Sequence, residues 1–166
     1  PAYYAHMGSA NAAGPTGVDL SAPEPADAAE LRRRIEAGEW VVDLRSRAVF
    51  MPAHVPGSIN VGLGGSFVNY LGWMIPWGTP VTLIGDTSDQ VAAAQREIVR
   101  IGIDRPVRQA VGDVTSWMSE GHAPASIRRI DFATLAAEWQ PGSSDIVLYL
   151  DVFASTDLSF WPRSRD

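Results

Sequence analysis

Cysteine is wholly missing from this chain of 166 residues. Its absence excludes disulfides, thiolate metal ligands and thiol nucleophiles together. Lysine is missing as well, so arginine supplies all 13 positive charges, and the 19 acidic residues leave a net charge of −6. The one basic run, Arg32–Arg34, lies in a helical pattern rich in glutamate and reads as a solvated helix face. No basic stripe would neutralise phosphates, which argues against nucleic acid as a partner.

Long apolar runs are missing too. No segment approaches the ~18 apolar residues that span a bilayer, and no N-terminal signal pattern is visible. We therefore predict a cytoplasmic protein without a membrane partner. A hydrophobic content of 46% with 19% charged residues fits one globular domain and some flanking sequence. Because the chain begins at Pro1 rather than Met, we interpret it as a fragment of a longer protein.

Apolar periodicity predicts alternating helices and strands in the middle of the chain. Helices are expected over 27–37, 65–75 and 89–101, with a short one from Asp113 to Gly121. Asp27 and Glu30 have the spacing of a capping box at the first of them. Short buried strands are expected at 40–44, 59–61, 81–84 and 106–110. This alternation predicts the α/β class, with a parallel sheet covered by helices on both faces.

The two ends of the chain differ from this middle. Residues 1–25 are rich in glycine, proline and small residues without periodicity, which is typical of a linker. Residues 126–166 repeat the opening order: Asp131 caps a helix through Trp139, and an apolar strand follows at 146–150. We interpret this segment as the truncated start of a second repeat.

Four separated motifs resemble the rhodanese homology domain. They are Val42–Arg45, His54–Asn60, a buried strand that leads through a tight loop into a helix, and Gly112–Trp117. The resemblance covers residues 26–125 and implies a five-stranded parallel sheet with helices on both faces. It also implies a structural role for the motif residues Asp43, Arg45, His54, Pro56 and Gly57.

A second resemblance concerns the neighbours of this domain. Residues 1–7, with Asn11 and Gly14–Pro15, look like the end of a metallo-β-lactamase-fold hydrolase domain. The aromatic stretch Leu63–Trp77 is similar to the first rhodanese domain of proteins that fuse the two. The resemblance implies a parent protein that is a metal-dependent hydrolase or a sulfur-metabolism enzyme. The expected partners are therefore its neighbouring domains or, in a homodimer, a second copy of the chain.

The chemistry of the resemblance fails at one loop. An active rhodanese carries Cys-x-x-Gly-x-Arg there, with a thiolate nucleophile held by backbone N–H groups and an arginine that attracts anionic donors. In this chain Gly85 takes the place of the cysteine, Ser88 that of the glycine and Gln90 that of the arginine. The whole degenerate loop is Gly85, Asp86, Thr87, Ser88, Asp89 and Gln90. We therefore predict no sulfurtransferase activity, no catalytic residue, no cofactor and no metal in this segment.

Two other readings of the same residues stay open. Asp86 and Asp89 are two acids that a divalent cation or a small cationic metabolite would use, although a helix dipole also favours acids in its first turn. Ser88 at a strand-to-helix turn is either an N-cap or, as the weakest reading, a hydrolase nucleophile. The three histidines, His6, His54 and His122, have no metal-ligand spacing.

The stretch 64–77 holds more aromatic residues than a short segment usually buries. Two readings stay open: some of these aromatic residues belong to the core, and the others either join it or form a surface patch against a neighbouring domain. The members in question are Phe67, Tyr70, Trp73 and Trp77. The leading interpretation is a catalytically inactive rhodanese-like domain that acts as a structural or interaction module.

Overall fold

A four-stranded parallel sheet forms the centre of the computed structural model, which describes residues 2–14 and 17–138. Its spatial order is β2–β1–β3–β4, and every neighbouring pair is parallel. The strands are β1 (Trp40–Asp43), β2 (Ile59–Asn60), β3 (Val81–Gly85) and β4 (Arg108–Val111). Because β1 and β3 have a partner on each side, their carboxyl ends meet in the middle of one sheet edge.

Six α-helices lie in the described ranges. They are α1 (Met7–Ala13), α2 (Ala28–Glu36), α3 (Arg47–Phe50), α4 (Phe67–Met74), α5 (Ser88–Ile98) and α6 (Phe132–Glu138). Three 3-10 segments accompany them, at Ala2–Ala5, Val99–Ile101 and Val114–Trp117. Periodicity predicted α2, α4, α5 and α6. It missed α3, which has four residues, and α1, whose mostly small residues Met7–Ala13 lie in the segment interpreted as a linker.

The prediction of a fifth strand is wrong. A single parallel bridge between Pro25 and Gln109 stands where a further strand would lie beside β4. The Ala26 N–H donates to the Gln109 carbonyl at 2.7 Å, and the Gln109 N–H donates to the Glu24 carbonyl at 3.0 Å. Pro23 and Pro25 have no N–H to donate, and α2 begins three residues after the bridge. The segment is therefore too short and too poor in donors to extend into a ladder.

The sheet has an apolar cluster on each face, as the strand pattern predicted. Val42, Leu83 and the α5 residue Ile98 belong to one cluster, to which α4 contributes Phe67 and Leu71. Val41 and Ile84 point the other way and pack with residues of α2 and of the last 3-10 segment, Leu31 and Trp117. Neighbouring side chains of one strand thus enter opposite clusters, which the alternation of a pleated strand requires.

The first helix of the domain starts as its sequence predicts. The Asp27 carboxylate accepts the Glu30 N–H at 2.8 Å, so it caps α2. The Glu30 side chain does not return to the cap, because its oxygens accept from guanidinium groups instead. Arg33 donates to both oxygens at 2.8 Å, and Arg34 donates to one of them, also at 2.8 Å. These contacts, first of all that with Arg33, lower the pKa of Glu30 from 4.5 to about 2.

This shift predicts a pH-dependent contribution of Glu30 to stability. Since the folded-state pKa is depressed, the contribution is complete above the ordinary value and is lost as pH falls from about 4.5 to about 2. We expect the urea midpoint of a Glu30→Gln variant to depend less on pH across that window than the midpoint of the unchanged protein. Glu36→Gln is the control, because Glu36 is exposed and lies 3.7 Å from Arg32. Equal pH slopes for Glu30→Gln and the unchanged protein would contradict the prediction.

Helix α5 ends earlier than predicted. The α-helical hydrogen bonds stop at Ile98, and a 3-10 turn carries the chain to Ile101 before Gly102 adopts a φ of 77°. A Cβ at Gly102 would lie 2.3 Å from the Trp77 ring. Glycine is therefore required here both for the left-handed backbone and for the close approach of Trp77.

The chain divides into two compact units, Pro1–Arg129 and Ile130–Asp166. Of the second unit the structure describes α6, whose predicted cap is confirmed, since the Asp131 carboxylate accepts the Thr134 N–H at 2.7 Å. The strand predicted at 146–150 lies outside the described residues. Among the helices of the described ranges, none is both long enough and apolar enough to cross a membrane.

Candidate functional site

The loop predicted to be degenerate lies at the carboxyl end of β3. This strand ends at Gly85, and α5 begins at Ser88, so only Asp86 and Thr87 connect the two. Ligands of open parallel sheets bind at this edge, where strand ends and helix N-termini converge. The fold thus brings the predicted loop to the position at which a parallel α/β domain places its chemistry.

The Gln90 side chain is folded back over the loop. Its Oε1 accepts the N–H of Asp86 at 2.8 Å, and its Nε2 donates to the Leu44 carbonyl at 3.1 Å. One amide therefore satisfies a loop N–H and ties the end of β3 to the end of β1. A loop N–H that would otherwise face an anion is already bonded within the chain.

Gly85 has no room for a side chain beneath this amide. A Cβ built there would lie 2.6 Å from the Gln90 Oε1 and 3.6 Å from a methyl of Val91. Real Cβ atoms do not approach an oxygen so closely, so any larger residue, cysteine included, requires Gln90 to move away. The blocking atom is the far end of a flexible side chain, so Gly85 is favoured only while Gln90 keeps this position, and no left-handed backbone requires it.

The helix cap is Thr87, which corrects the assignment to Ser88. The Thr87 Oγ1 accepts the Gln90 N–H at 3.2 Å, whereas Ser88 is the first residue of α5 and is exposed. A cap must have extended backbone angles, and Thr87 has them, with φ −137° and ψ 154°. Ser88 therefore loses the structural role that the sequence assigned to it, and no described contact activates its hydroxyl.

Asp86 and Asp89 flank the cap and are both exposed. Asp89 lies in the first turn of α5, where the helix dipole favours an acid. Among the described residues, no three His, Asp or Glu side chains come together as a metal site would need. The reading of these two acids as a cation site stays a prediction.

Asp43 and Arg45 form a buried ion pair at the end of β1. The guanidinium meets both carboxylate oxygens, with Nε at 3.0 and 3.1 Å and Nη2 at 2.7 Å, and Nη2 also donates to the Ala53 carbonyl. Asp43 is 0% exposed and Arg45 is 3% exposed. Each is therefore the other's principal partner, and Arg45 also holds the segment at Ala53.

Arg45 is also covered by an aromatic ring. Its Cζ lies 5.0 Å from the centre of the Trp117 ring, within the range of a cation–π contact. Trp117 closes the 3-10 turn that begins at Val114, and the Asp113 carboxylate caps this turn. The helix predicted to run from Asp113 to Gly121 is thus a shorter 3-10 turn that ends at Trp117. The last motif of the chain thus packs on the first, which sequence spacing alone did not reveal.

His54 is a packed residue of the same region. Its ring stacks on Phe50, with centroids 4.0 Å apart, and its Nδ1 lies 3.1 Å from the Phe50 carbonyl oxygen. Its backbone forms a two-way bridge with Ala125. The His54 ring thus contacts both the side chain and the backbone of the last residue of α3.

The turn after His54 depends on a close contact. Gly57 has a φ of 83°, and a Cβ there would lie 2.4 Å from the Ile35 Cγ2. Pro56 beside it is exposed. The turn therefore packs against α2 at Gly57, where any other residue would strain the backbone and collide with Ile35.

The aromatic stretch divides into core and surface. Phe67 is 1% exposed, whereas Trp73 is 71% exposed and Tyr70 and Trp77 are 45% and 41% exposed. Trp77 stacks on His6, with ring centroids 4.6 Å apart. The N-terminal segment therefore contacts the chain just after the C-terminal end of α4. We call the exposed set the α4 patch: Tyr70, Trp73, Met74 and Trp77.

Sequence reasoning missed the two contacts that matter most to this site. The Gln90 amide reaches Leu44, 46 residues away, and the Arg45–Trp117 contact joins residues on different motifs. The one hint of these contacts in the sequence is the residue type at position 90. A glutamine stands where the motif implies a charged arginine, and an amide both donates and accepts.

A four-stranded parallel sheet with a strand-to-helix loop at its carboxyl edge defines this chain as an α/β domain with one candidate site. The sequence matches the family described as the Rhodanese-like domain over residues 27–120, which is more than half of the chain. The chain therefore belongs to the rhodanese-like family. Its loop differs from an active member's in having no cysteine.

Solved structures agree on this fold. A crystal structure of a protein from Anabaena sp. is 20% identical, with a TM-score of 0.52, and the match covers 61% of this chain and 92% of that one. The solution structure of the rhodanese-like domain of the same Anabaena protein is 18% identical, with a TM-score of 0.51 and coverages of 76% and 90%. Both resemblances show the fold alone.

A third structure is a longer protein, described as a metallo-β-lactamase from Staphylococcus aureus. It is 24% identical, with a TM-score of 0.55, and the match covers 68% of this chain but 31% of that one. Comparison with curated protein sequences gives no match.

Proposed function

We propose that this chain is a non-catalytic rhodanese-like module of a larger protein, and that it serves there as a structural or interaction domain. The Gln90 amide carries the proposal, since it lies over Gly85 and bonds the loop N–H of Asp86. The Gln90 side chain thus occupies the space that a nucleophilic side chain at position 85 would need, and the chain has no cysteine to supply one.

The charges of the loop support the same proposal. A sulfur donor such as thiosulfate is an anion, and an active loop attracts it with helix N–H groups and an arginine. Here Asp86 and Asp89 face the solvent at the same helix start, and a neutral amide replaces the arginine. Each carboxylate would oppose an anion a few Å away by about 1 kcal/mol even at the dielectric of water.

The larger protein is proposed from the neighbours of the domain. The chain corresponds to about a third of a protein described as a metallo-β-lactamase, in line with the resemblance of residues 1–7 to such a domain. A metal-dependent hydrolase is therefore the proposed parent, and the cytoplasm its proposed location. The α4 patch is the proposed surface against a neighbouring domain, because large apolar groups so exposed are costly in water.

A sulfur-transfer assay tests the non-catalytic role. We expect the chain to convert thiosulfate and cyanide no faster than buffer, and to carry no persulfide after incubation with thiosulfate. The matched control restores the loop as Gly85→Cys, Ser88→Gly and Gln90→Arg together, which supplies the thiol and removes the amide above it. Turnover by the restored variant with none from the unchanged chain supports the proposal. Turnover by the unchanged chain would overturn it.

A further inference from the structure

An open groove of about 780 Å³ lies on the face of the sheet that α4 and α5 cover. One wall consists of Leu63, before α4, and Asn69, in its first turn. The other consists of Arg96, in the last turn of α5, and Arg100, in the 3-10 segment that follows. No residue of the loop 85–90 lines it. Ser88 and Arg96 are eight residues apart on one helix, which places the groove about 12 Å along α5 from the loop. We call it the Arg96 groove.

The charge of the groove is positive in an acidic chain. Arg100 lies 3.0 Å from Glu97, which largely neutralises it. Arg96 is exposed, and no hydrogen bond or ion pair connects it to any residue in the described ranges. The lining therefore has a net charge of +1, from one guanidinium without a partner, while the whole chain has −6.

Polar groups make up the larger share of the lining, and apolar side chains form a smaller part of it. Leu63, Val68 and Ile101 belong to, or pack against, the core cluster below. Gly64 and Gly65 have no heavy atom within 4 Å of a built Cβ, so space remains above their backbone. Asn69 adds one amide. The volume of several hundred Å³ lies in the range of small-molecule sites. The mixed lining suits a ligand that has both a charged group and an apolar part.

We propose that the Arg96 groove binds a small organic carboxylate. The carboxylate pairs with the Arg96 guanidinium, whose planar fork matches two carboxylate oxygens, and the apolar body lies across Leu63 and Val68. The single net positive charge of the lining matches a monoanion better than a dianionic phosphate. The site would make the module a binder of such a ligand, which goes beyond the structural role proposed above.

An NMR titration of the whole 166-residue chain tests this site. The probe is 4-phenylbutyrate, and the matched probe is 4-phenylbutyramide, which has the same apolar body without the charge. The amide signals of Gly64 and Gly65 are the reporters, because glycine amides resonate apart from most others. We expect saturable shifts at both glycines with the acid, and about tenfold weaker binding of the neutral amide, which corresponds to about 1.4 kcal/mol.

Two variants of equal charge separate the groove from general electrostatics. Arg96→Gln is expected to weaken 4-phenylbutyrate about tenfold. Arg105→Gln removes an exposed arginine that pairs with Asp19 elsewhere on the surface, and it is expected to bind as the unchanged chain does. Equal binding of acid and amide, equal loss in both variants, or no saturable shift at Gly64 and Gly65 would each overturn the proposal. The sulfur-transfer assay has no bearing on these results, so the two proposals fail separately.

Discussion

Replacing Arg45 with methionine is expected to lower the free energy of unfolding by about 3–5 kcal/mol, because it leaves the Asp43 carboxylate buried without its counter-ion. Asp43 is fully buried, and three contacts with the guanidinium account for most of the bonds to its oxygens. The Arg45 stem also fills space that methionine can occupy, so the loss reports the charge rather than a cavity. Urea denaturation at neutral pH measures it. A domain of this size has about 5–15 kcal/mol in total, so the variant would be close to unfolding.

A second substitution in the same pair makes this prediction specific. Asp43→Asn keeps an oxygen that can accept the Arg45 backbone N–H, which now bonds the carboxylate at 2.9 Å, but it removes the charge. The double variant Asp43→Asn with Arg45→Met is therefore expected to recover part of the lost stability. Arg105→Met, which breaks the surface ion pair with Asp19, is the control and should lower the free energy of unfolding by only about 0–1 kcal/mol. An Arg45→Met cost no larger than that control would show that the buried pair contributes nothing unusual.

Trp117→Ala is expected to destabilise the domain by about 3–5 kcal/mol. The indole is 3% exposed and packs with Leu31, Ile84 and other residues of the second core cluster. Its removal leaves a cavity beside the sheet and also uncovers Arg45. The same urea experiment measures the loss, and Trp73→Ala is the matched control, since that indole is 71% exposed. Similar costs at the two positions would contradict the prediction.

Phenylalanine at the same position separates packing from the polar group. Within the described residues the buried Trp117 Nε1–H has no acceptor, and an unsatisfied buried donor costs about 1–3 kcal/mol. Trp117→Phe removes this donor while it keeps most of the ring, so its cost should be well below that of Trp117→Ala. Because Arg45 touches the ring, the effects of Trp117→Ala and Arg45→Met should not add. Strict additivity would indicate that the cation–π contact contributes nothing.

Local signals predicted much of this fold correctly. Asp27, Asp113 and Asp131 each accept a backbone N–H two or three residues later, as their positions in the sequence predicted. The four central strands appear within two residues of their predicted bounds. These features depend on the few residues around each position, whose side chains either reach the local backbone or alternate across a sheet.

The errors came from competition between neighbours. Thr87 and Ser88 both suit an N-cap, and the backbone angles of the loop, which the sheet and helix dictate together, decide for Thr87. The bridge at Pro25 failed to become a strand because its prolines lack N–H donors. The prediction of five strands came from a family resemblance, which takes no account of the prolines at this position.

What the sequence determined by itself is the chemistry that this protein lacks. With no cysteine anywhere, no fold can supply a thiolate, and the capping and alternation of its segments follow from residues close along the chain. Only the tertiary structure decided that Gln90 lies over Gly85, that Arg45 stands between Asp43 and Trp117, and that Arg96 borders a groove. These contacts join segments up to 72 residues apart (45 to 117), and their geometry depends on how helices and strands pack, which no local pattern of residues records.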